Sequence, residues 1–377
     1  MNTMLIQKFI NDNPGDWETR LTAEFGIKLR KYPDRTVFNY DQIESPKMDP
    51  MVQECRGLIL RNSDWSVMAR SFDRFFNLGE GGTSEKTFSI QKAIAFEKLD
   101  GSLITVYHDD PWAETDSGKW CASTRSLAFA EGTVPYGDGT FFDIVERAFG
   151  KSLQDEMETG NGFFSYTFEL TSPFNRVVTR YSEFKMTLLA IRRNSNGEEF
   201  SPEFCDQVAR IHGWNRPKTF KFATADDVVA SLKDLPALDE GYVLAVYDDV
   251  NKSYQRVKVK NPSYLAVAHM RSNEGLSVKS VVKLVFSGDE AEYLTYYPED
   301  AAVFQPWQDA FQKMLVSIQT AWETHKDIVE QKAFALAVKD TGFSSILFQI
   351  RKGVALTSIL DRTTDDGKIQ LLSQFKV

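Results

Sequence analysis

Short apolar segments rich in β-branched and aromatic residues recur along the first two thirds of the chain. Their length and composition are typical of β-strands. The clearest predicted strands are 58–60, 163–170, 186–192, 242–247 and 254–260. The last two flank a turn-forming segment, 248–253, and are therefore predicted to pair antiparallel. A helix is predicted at 142–149, between the earlier and the later strands.

Two further apolar segments, 93–96 and 103–107, lie on either side of the dipeptide Asp100-Gly101. An Asp-Gly pair between two such segments is a strong local signal for a β-hairpin, so a hairpin is predicted here. Short strands mixed with few long helices favour an α+β fold built on antiparallel sheet over a doubly wound parallel sheet.

The pattern becomes helical after residue 265. Apolar residues recur there at spacings of three and four, which predicts an amphipathic helix containing Trp307, Phe311, Leu315, Ile318 and Trp322. Two more apolar stretches, 334–338 and 346–350, precede the possible helix stops Gly342 and Gly353. We therefore predict two domains, 1–265 with the sheets and 266–377 entirely α-helical.

Composition narrows the classes of protein to consider. The chain has 377 residues, 42% apolar and 26% charged, the balance of a folded protein long enough for two domains. A formal net charge of −9 excludes a histone-like polycation, although a local basic groove can still bind a nucleic-acid backbone. The cysteines and histidines are scattered, which indicates a reduced protein without structural zinc or a histidine-built metal site.

The N-terminal segment lacks the charged-then-apolar layout of a signal peptide. Apolar runs also fall well short of the roughly 18 residues that a membrane helix needs. We expect a protein of the cytoplasm, the host's cytoplasm if the gene is carried by a phage, with no association with membranes.

Lys98, in the sequence Lys-Leu-Asp-Gly-Ser, is the first residue with candidate chemistry. A lysine beside a tight turn is usually a solvated side chain, and this alternative stays open on the motif alone. An amine nucleophile must be unprotonated, whereas an ordinary lysine with a pKa of about 10.4 is neutral only about once in a thousand near pH 7.4. A nucleophilic lysine would therefore need other cations nearby.

Such cations are found on a later predicted strand. In Arg-Val-Lys-Val-Lys at 256–260 the residues alternate, so Lys258 and Lys260 share one face about 7 Å apart. The two ammonium groups would suit a triphosphate, because they can neutralise charge that develops on the transferred and departing phosphates. The alternative is an amphipathic strand with its polar side in water.

The order of these motifs resembles the covalent nucleotidyltransferases, which comprise DNA ligases, RNA ligases and mRNA capping enzymes. That superfamily has a K-x-D-G motif, then a strand-borne Glu, an E-G motif and a K-x-K strand. The corresponding segments here are Lys98–Gly101, Phe168-Glu169, Glu240–Val243 and Lys258–Lys260. Each motif alone is weak evidence, but four in this order are strong evidence.

The closer resemblance is to the type 1 RNA ligases of T-even bacteriophages, over about residues 35–265. It is carried by Glu-Cys-Arg-Gly at 54–57, Arg-Phe-Phe-Asn-Leu at 74–78 and Asn-Arg-Val-Val at 175–178. The resemblance implies a nucleotidyltransferase domain of the ATP-grasp-like ligase type, followed by the all-α domain. It also implies ATP and Mg²⁺, with Mn²⁺ as an alternative metal.

The resemblance also implies roles for individual residues. Lys98 would hold AMP as a phosphoramidate, Glu169 would bind the ribose hydroxyls, and Arg56 would lie over the nucleotide or orient the later phosphate. Tyr40 and Arg74 match positions that contact ATP, and the family more often has Lys where Arg74 stands. For Tyr40, Arg56 and Arg74, half-buried packing or surface ion pairs are the alternatives.

The remaining roles concern phosphates, metal and the sealing step. Lys258 and Lys260 would contact the α-phosphate and the pyrophosphate, and Glu240 would organise the metal. Arg125 falls where the family has an essential lysine, and Tyr264 matches a position needed for ligation. The resemblance also implies that Asp289 contacts the metal, although acids are favoured at helix N-termini as well.

The implied function is ATP-dependent joining of RNA ends that carry a 5′-phosphate and a 3′-hydroxyl, in RNA repair and by kinship in repair of broken tRNA. A monomer is expected. One alternative is a DNA ligase or a capping guanylyltransferase, which normally has a β-barrel after the lysine strand. Another alternative is an inactive RNA-end-binding protein. Such a protein would have no reason to keep all five of the residues Lys98, Glu169, Glu240, Lys258 and Lys260, so their presence argues against it.

Overall fold

The computed structural model describes residues 4–80, 88–111, 118–176, 179, 181–236, 239–261, 277–296 and 300–375, and of 292, 295 and 296 only the backbone. The chain divides into two compact units, Met1–Leu265 and Ala266–Val377. The first contains all the described strands, and the described elements of the second are all helices.

The strands of the first unit form three sheets. Their bounds are β1 Ile27–Lys31, β2 Arg35–Tyr40, β3 Arg56–Arg61, β4 Val67–Ala69, β5 Phe76–Asn77, β6 Ile94–Glu97, β7 Ser102–His108, β8 Trp120–Ser123, β9 Phe164–Thr171, β10 Lys185–Arg193, β11 Thr219–Phe220, β12 Gly241–Asp248 and β13 Ser253–Lys260. The sheet orders are β1-β2-β3-β4, β10-β9-β7-β8 and β11-β6-β12-β13-β5. All neighbouring pairs are antiparallel except β13 with β5.

The helices of this unit pack against the strands. They are α1 Leu5–Asp12, α2 Trp17–Phe25, α3 Pro50–Glu54, α4 Phe141–Phe149, α5 Leu153–Glu156, α6 Pro202–His212 and α7 Ala225–Leu232, with a 3₁₀ turn at Ile90–Lys92. Capping by side chains fixes where several of them begin: the Thr140 hydroxyl, for example, accepts the Asp143 backbone N–H at the start of α4.

Aromatic side chains fill much of the core. Phe168 on β9 packs edge-on against Phe149 of α4 and Trp214, with ring centroids 5.6 and 5.0 Å apart. A smaller buried cluster, which includes Val37 of β2 and Tyr107 of β7, joins the first sheet to the second. Burial of these apolar side chains is the main favourable contribution to folding and holds the two sheets together.

The predicted antiparallel pairing of the two late strands is confirmed, since Gly241–Asp248 pairs residue by residue with Ser253–Lys260. The predicted hairpin at Asp100-Gly101 is wrong. β6 pairs with β11 and β12 in the third sheet, whereas β7 pairs with β8 and β9 in the second. Neither residue has the positive φ that a type I′ hairpin turn requires, so the dipeptide is a crossover between sheets.

The second unit contains seven described helices. They are α8 Val278–Ser287, α9 Glu290–Tyr296, α10 Ala301–His325, α11 Gln331–Val338, α12 Ser344–Arg351, α13 Leu356–Arg362 and α14 Asp365–Ser373. The predicted face of α10 is largely buried, with Trp307, Phe311 and Ile318 inside. An α+β fold on antiparallel sheet with a helical C-terminal region is therefore confirmed. No described helix is long and apolar enough to cross a membrane.

Candidate active site

Lys98 lies in the crossover between the second and third sheets. Its backbone N–H donates to the carbonyl oxygen of Gly241 at 2.8 Å, which fixes the lysine motif against the Glu-Gly motif at the start of β12. The buried Asp100 carboxylate accepts the Thr179 N–H at 2.6 Å. The lysine motif and the Glu-Gly motif are therefore adjacent in the structure, although about 140 residues separate them along the chain.

Close backbone approach explains the glycines of both motifs. A Cβ atom on Gly101 would lie 2.3 Å from the carbonyl oxygen of Leu170 on β9. A Cβ on Gly241, which has φ +124°, would lie 2.2 Å from the carbonyl oxygen of Val259. No side chain fits at either position, so the glycines allow Lys98 and Glu240 to come together.

The Glu240 carboxylate lies between two lysines. Its Oε2 is 2.6 Å from Lys98 Nζ and its Oε1 is 3.2 Å from Lys260 Nζ. Glu240 is buried, which by itself would raise the pKa of its carboxyl, but Lys98 and Lys260 lower the pKa below its ordinary value. The carboxylate is therefore ionised at neutral pH and joins the proposed nucleophile to the lysine strand.

Glu169 lies on β9 and has the opposite electrostatic character. Burial raises the pKa of its carboxyl from 4.5 to about 8; Lys98 opposes this shift and Glu240 adds to it. A carboxyl group that is largely protonated near neutral pH can both donate and accept hydrogen bonds. That property suits the pair of ribose hydroxyls for which Glu169 was predicted.

Three arginines surround the ring of Tyr40. The guanidinium carbons of Arg74 and Arg125 lie 5.1 and 5.3 Å from the ring centroid, and Arg74 Nη1 donates to the Tyr40 hydroxyl at 3.0 Å. Burial alone would raise the pKa of Tyr40, but the charges of Arg56, Arg125 and Arg74 together lower it. This arginine cluster is a local concentration of positive charge in a protein that is acidic overall.

Two guanidinium N–H groups in this cluster are buried without a hydrogen-bond partner in the described part of the chain, Nη1 of Arg56 and Nε of Arg74. Burying such donors is unfavourable unless a ligand accepts from them. Phosphate oxygens accept charge-assisted bonds from arginine particularly well. The described residues therefore fit the polyphosphate of ATP.

Fewer described side chains are suited to binding a divalent cation than to binding phosphate. No group of three or more Asp, Glu, His or Cys side chains able to hold a metal occurs among the described residues. Mg²⁺, however, usually binds through one or two carboxylates together with water and substrate phosphates. Glu240 fits as a protein carboxylate of such a site.

Two further predicted residues lie outside the described part of the first unit. Asp289 lies in the second unit just before α9, where its backbone carbonyl accepts the Tyr293 N–H at 3.0 Å. Asp289 is thus at a helix N-terminus, where an acidic residue is favoured without any role in metal binding. Tyr264 lies outside the described residues. The roles of both residues in metal binding and sealing remain predictions.

The structure also identifies residues near the site that sequence reasoning did not single out. Phe75 lies near Arg56 and Lys258, whose charged groups are 5.8 and 5.7 Å from its ring centroid. Asn175 donates to the Ser102 hydroxyl at 2.9 Å and so connects its motif to the lysine motif. Both residues belong to strings that carried the resemblance, which was the available signal, but neither had been given a role.

Comparison with known families decides the assignment. A family model described as RNA ligase matches residues 54–264, more than half of the chain. The chain belongs to the RNA ligase family. The match spans the lysine motif, both carboxylates and the lysine strand, so the predicted resemblance to RNA ligases of the phage type is confirmed.

Individual relatives agree with the family. The chain is 30% identical to a predicted bifunctional polynucleotide kinase/RNA ligase of Autographa californica nuclear polyhedrosis virus, over 93% of this chain and 51% of that protein. It is 23% identical to the RNA ligase of Rhodothermus phage RM378, over 84% of each. The chain thus spans about half the length of the viral relative.

Solved structures are more distant. An archaeal ATP-dependent RNA ligase resembles this chain with a TM-score of 0.47 and 13% identity, over 93% of this chain and 81% of that one. Similarity at that level adds no argument about the site. Membership of the RNA ligase family therefore rests on the sequence match, and the roles of individual residues rest on the geometry described above.

Proposed function

We propose that this protein is an ATP-dependent RNA ligase that joins a 5′-phosphate end to a 3′-hydroxyl end through AMP bound to Lys98. The observation that carries the proposal is the group formed by Lys98, Glu240 and Lys260 in a chain of the RNA ligase family. Both ammonium groups lie within 3.2 Å of one buried carboxylate. A solvated turn lysine would have no reason to be held in this way.

The proposed reaction has three phosphoryl transfers. Lys98 Nζ, once deprotonated, attacks the α-phosphorus of ATP, a P–N bond forms and pyrophosphate leaves with the electrons of the broken P–O bond. A 5′-phosphate oxygen of the RNA then attacks the same phosphorus, and the lysine leaves and regains a proton. Finally a 3′-hydroxyl attacks the activated 5′-phosphate, and AMP leaves as the phosphodiester forms.

The cations of the site would stabilise charge in each of these steps. Lys258 and Lys260 are proposed to neutralise the α-phosphate and the departing pyrophosphate, and the arginine cluster is proposed to bind the remaining phosphates. Glu169 is proposed to hold the ribose hydroxyls. Positioning and electrostatic stabilisation account for most catalysis of phosphoryl transfer, so one site can serve three steps in turn.

A divalent metal is part of the proposal, with Mg²⁺ expected and Mn²⁺ as an alternative. When bound, it would neutralise negative charge on the phosphates. Glu240 is the residue proposed to hold it. Asp289 remains a proposed second metal-contacting acid.

Finer assignments extend the same proposal. The domain boundaries 1–265 and 266–377 are proposed to separate AMP transfer from recognition of the RNA. Broken tRNA as the natural substrate, a monomeric state and action in the cytoplasm are retained as proposals. Tyr264 is proposed to act in ligation, and Arg125 is proposed as a catalytic residue at the position of the family's essential lysine.

The test is incubation with α-labelled ATP and Mg²⁺, followed by addition of 5′-phosphorylated single-stranded RNA. We expect covalent labelling of the protein, transfer of the label to RNA and then sealing. A catalytically inactive RNA-end-binding protein would show no labelling. Equal sealing of nicked duplex DNA would contradict the choice of RNA as substrate and would favour the DNA ligase alternative.

A further inference from the structure

Phe75 is an aromatic side chain at the edge of the candidate site that none of the proposed chemical steps uses. Its ring is only partly buried, and its centroid is 5.8 Å from the guanidinium carbon of Arg56 and 5.7 Å from the ammonium nitrogen of Lys258. Phe72 packs edge-on against it, with ring centroids 6.1 Å apart and planes at 84°. The ring is therefore held in place by its neighbours, and part of it remains accessible.

The direction of the proposed AMP transfer determines which RNA end comes close to this ring. In each displacement at phosphorus the entering and leaving groups lie roughly in line. The 5′-phosphate that displaces Lys98 must therefore enter from the side on which pyrophosphate left. Lys258 and Lys260 are the residues proposed for that side, and Phe75 lies beside Lys258.

There is room beyond the ring for more of a strand. A groove of about 750 Å³ is lined by Arg74, Phe75, Asn196, Gln255 and Arg256, and also by the carboxylates of Glu54, Asp73 and Asp248. Aromatic rings and arginine guanidinium groups are the side chains on which proteins stack the bases of single-stranded nucleic acid. An isolated packing role for Phe75 would not require an open groove next to its ring.

We propose that Phe75 stacks against the 5′-terminal nucleobase of the RNA strand that receives AMP. The inference rests on the proposed ligase function and adds the residue that recognises the donor end. Stacking requires only a π face, so this contact is expected to tolerate all four bases. The nearby cations would hold the 5′-phosphate while the ring orients the nucleoside attached to it.

The experiment compares full-length wild-type protein with Phe75→Leu and Phe75→Tyr. Leucine retains apolar packing without a π face, whereas tyrosine retains the face. Each protein is first labelled with ATP, and transfer of AMP is then measured in a single turnover against the concentration of 5′-phosphorylated RNA. A second RNA lacks only the 5′-terminal base, so that protein and RNA changes can be combined in a double-mutant cycle.

For Phe75→Leu we expect apparent affinity for normal RNA to fall about 5- to 150-fold, the usual effect of losing one base–aromatic stack. The base-free RNA should lose a similar factor with wild type and little more with Phe75→Leu. Phe75→Tyr should behave like wild type. Relative to wild type, neither substitution should change labelling with ATP by more than a small fraction of the effect that Phe75→Leu has on AMP transfer to RNA.

Three results would overturn the assignment. Normal RNA affinity in Phe75→Leu would show that the ring makes no contact with the strand. Independent, multiplying effects of the leucine variant and the missing base would place the base elsewhere. An equal loss in labelling and transfer would show that Phe75 only supports Arg56 and Lys258. Absence of any labelling in wild type would instead refute the proposed function itself.

Discussion

Replacing Glu240 with glutamine tests whether this carboxylate holds the candidate site together. The change keeps the shape of the side chain but removes the negative charge between Lys98 and Lys260. The two ammonium groups would then share a partly buried region without their common counter-ion. We expect both a loss of folding stability and a loss of AMP attachment.

The magnitude follows from the distances. With an effective dielectric constant of about 20, contacts of 2.6 and 3.2 Å correspond to gross attractions of about 6 and 5 kcal/mol. The cost of desolvating the charges cancels much of this attraction, and removal of one partner from a buried ion pair typically costs about 3–5 kcal/mol. We therefore expect Glu240→Gln to lower the free energy of unfolding by about 3 kcal/mol or more.

Urea unfolding of wild type, Glu240→Gln, Lys98→Met and the double variant measures this effect. Part of the cost in Glu240→Gln arises from the unpaired Lys98 charge, so adding Lys98→Met should restore about 1–3 kcal/mol. The matched control is Glu183→Gln, which removes an exposed carboxylate paired with Lys185 and should leave stability nearly unchanged.

Two outcomes would refute this reasoning. Glu240→Gln as stable as wild type would mean that the carboxylate and the lysines are not coupled. Additive effects of Glu240→Gln and Lys98→Met would mean that Lys98 is not the partner whose charge matters. In either case the arrangement of the proposed nucleophile would need to be revised.

Three further predictions concern the backbone, protonation and the helical unit. Gly101→Ala should lower stability by about 2 kcal/mol or more in urea unfolding because its Cβ would lie 2.3 Å from the Leu170 carbonyl oxygen; Gly15→Ala, which meets nothing within 4 Å, is the control. The pKa of Glu169 is raised from 4.5 to about 8 in the folded state, so between these values the folded state binds more protons than the unfolded state. The free energy of unfolding should therefore fall by a few kcal/mol as the pH rises from 5 to 8.5. Glu169→Gln should remove most of that fall. Deletion of 266–377 should retain AMP labelling but abolish RNA sealing.

Each of these has an outcome that would contradict it. Equal stability of the Gly101 and Gly15 variants would show that the close approach to β9 is absent. A wild-type stability that does not change with pH, or changes equally in Glu169→Gln, would remove Glu169 as the titrating group. Full sealing by the deleted protein would exclude a substrate role for the helical unit, whereas loss of labelling would show that AMP attachment needs it.

The sequence predicted those parts of the fold that depend on local patterns. The strands at 164–171, 185–193, 241–248 and 253–260 and the long helix α10 appear close to their predicted bounds. The hairpin at Asp100-Gly101 failed because turn propensity is local, whereas the partner of a strand is chosen by the whole sheet. The three-sheet arrangement depends on such non-local pairings.

In the candidate site, too, the sequence predicted which residues take part but not the contacts between residues that are distant in sequence. Motif order brought Lys98, Glu240 and Lys260 to attention, and the structure places their charged groups within hydrogen-bonding distance. Sequence alone could not show that one carboxylate contacts both lysines, nor that burial raises the pKa of Glu169 to about 8. Both properties depend on side chains that are distant in sequence, and the same is true of the position of Phe75.

The central claim is that Lys98 carries AMP. The most direct measurement is peptide mapping by mass spectrometry after incubation of the full chain with ATP and Mg²⁺, without RNA. We expect one AMP group per protein, on the peptide that contains Lys98, and none in Lys98→Ala. An AMP group on Lys258 or Lys260, or continued modification of Lys98→Ala, would contradict it.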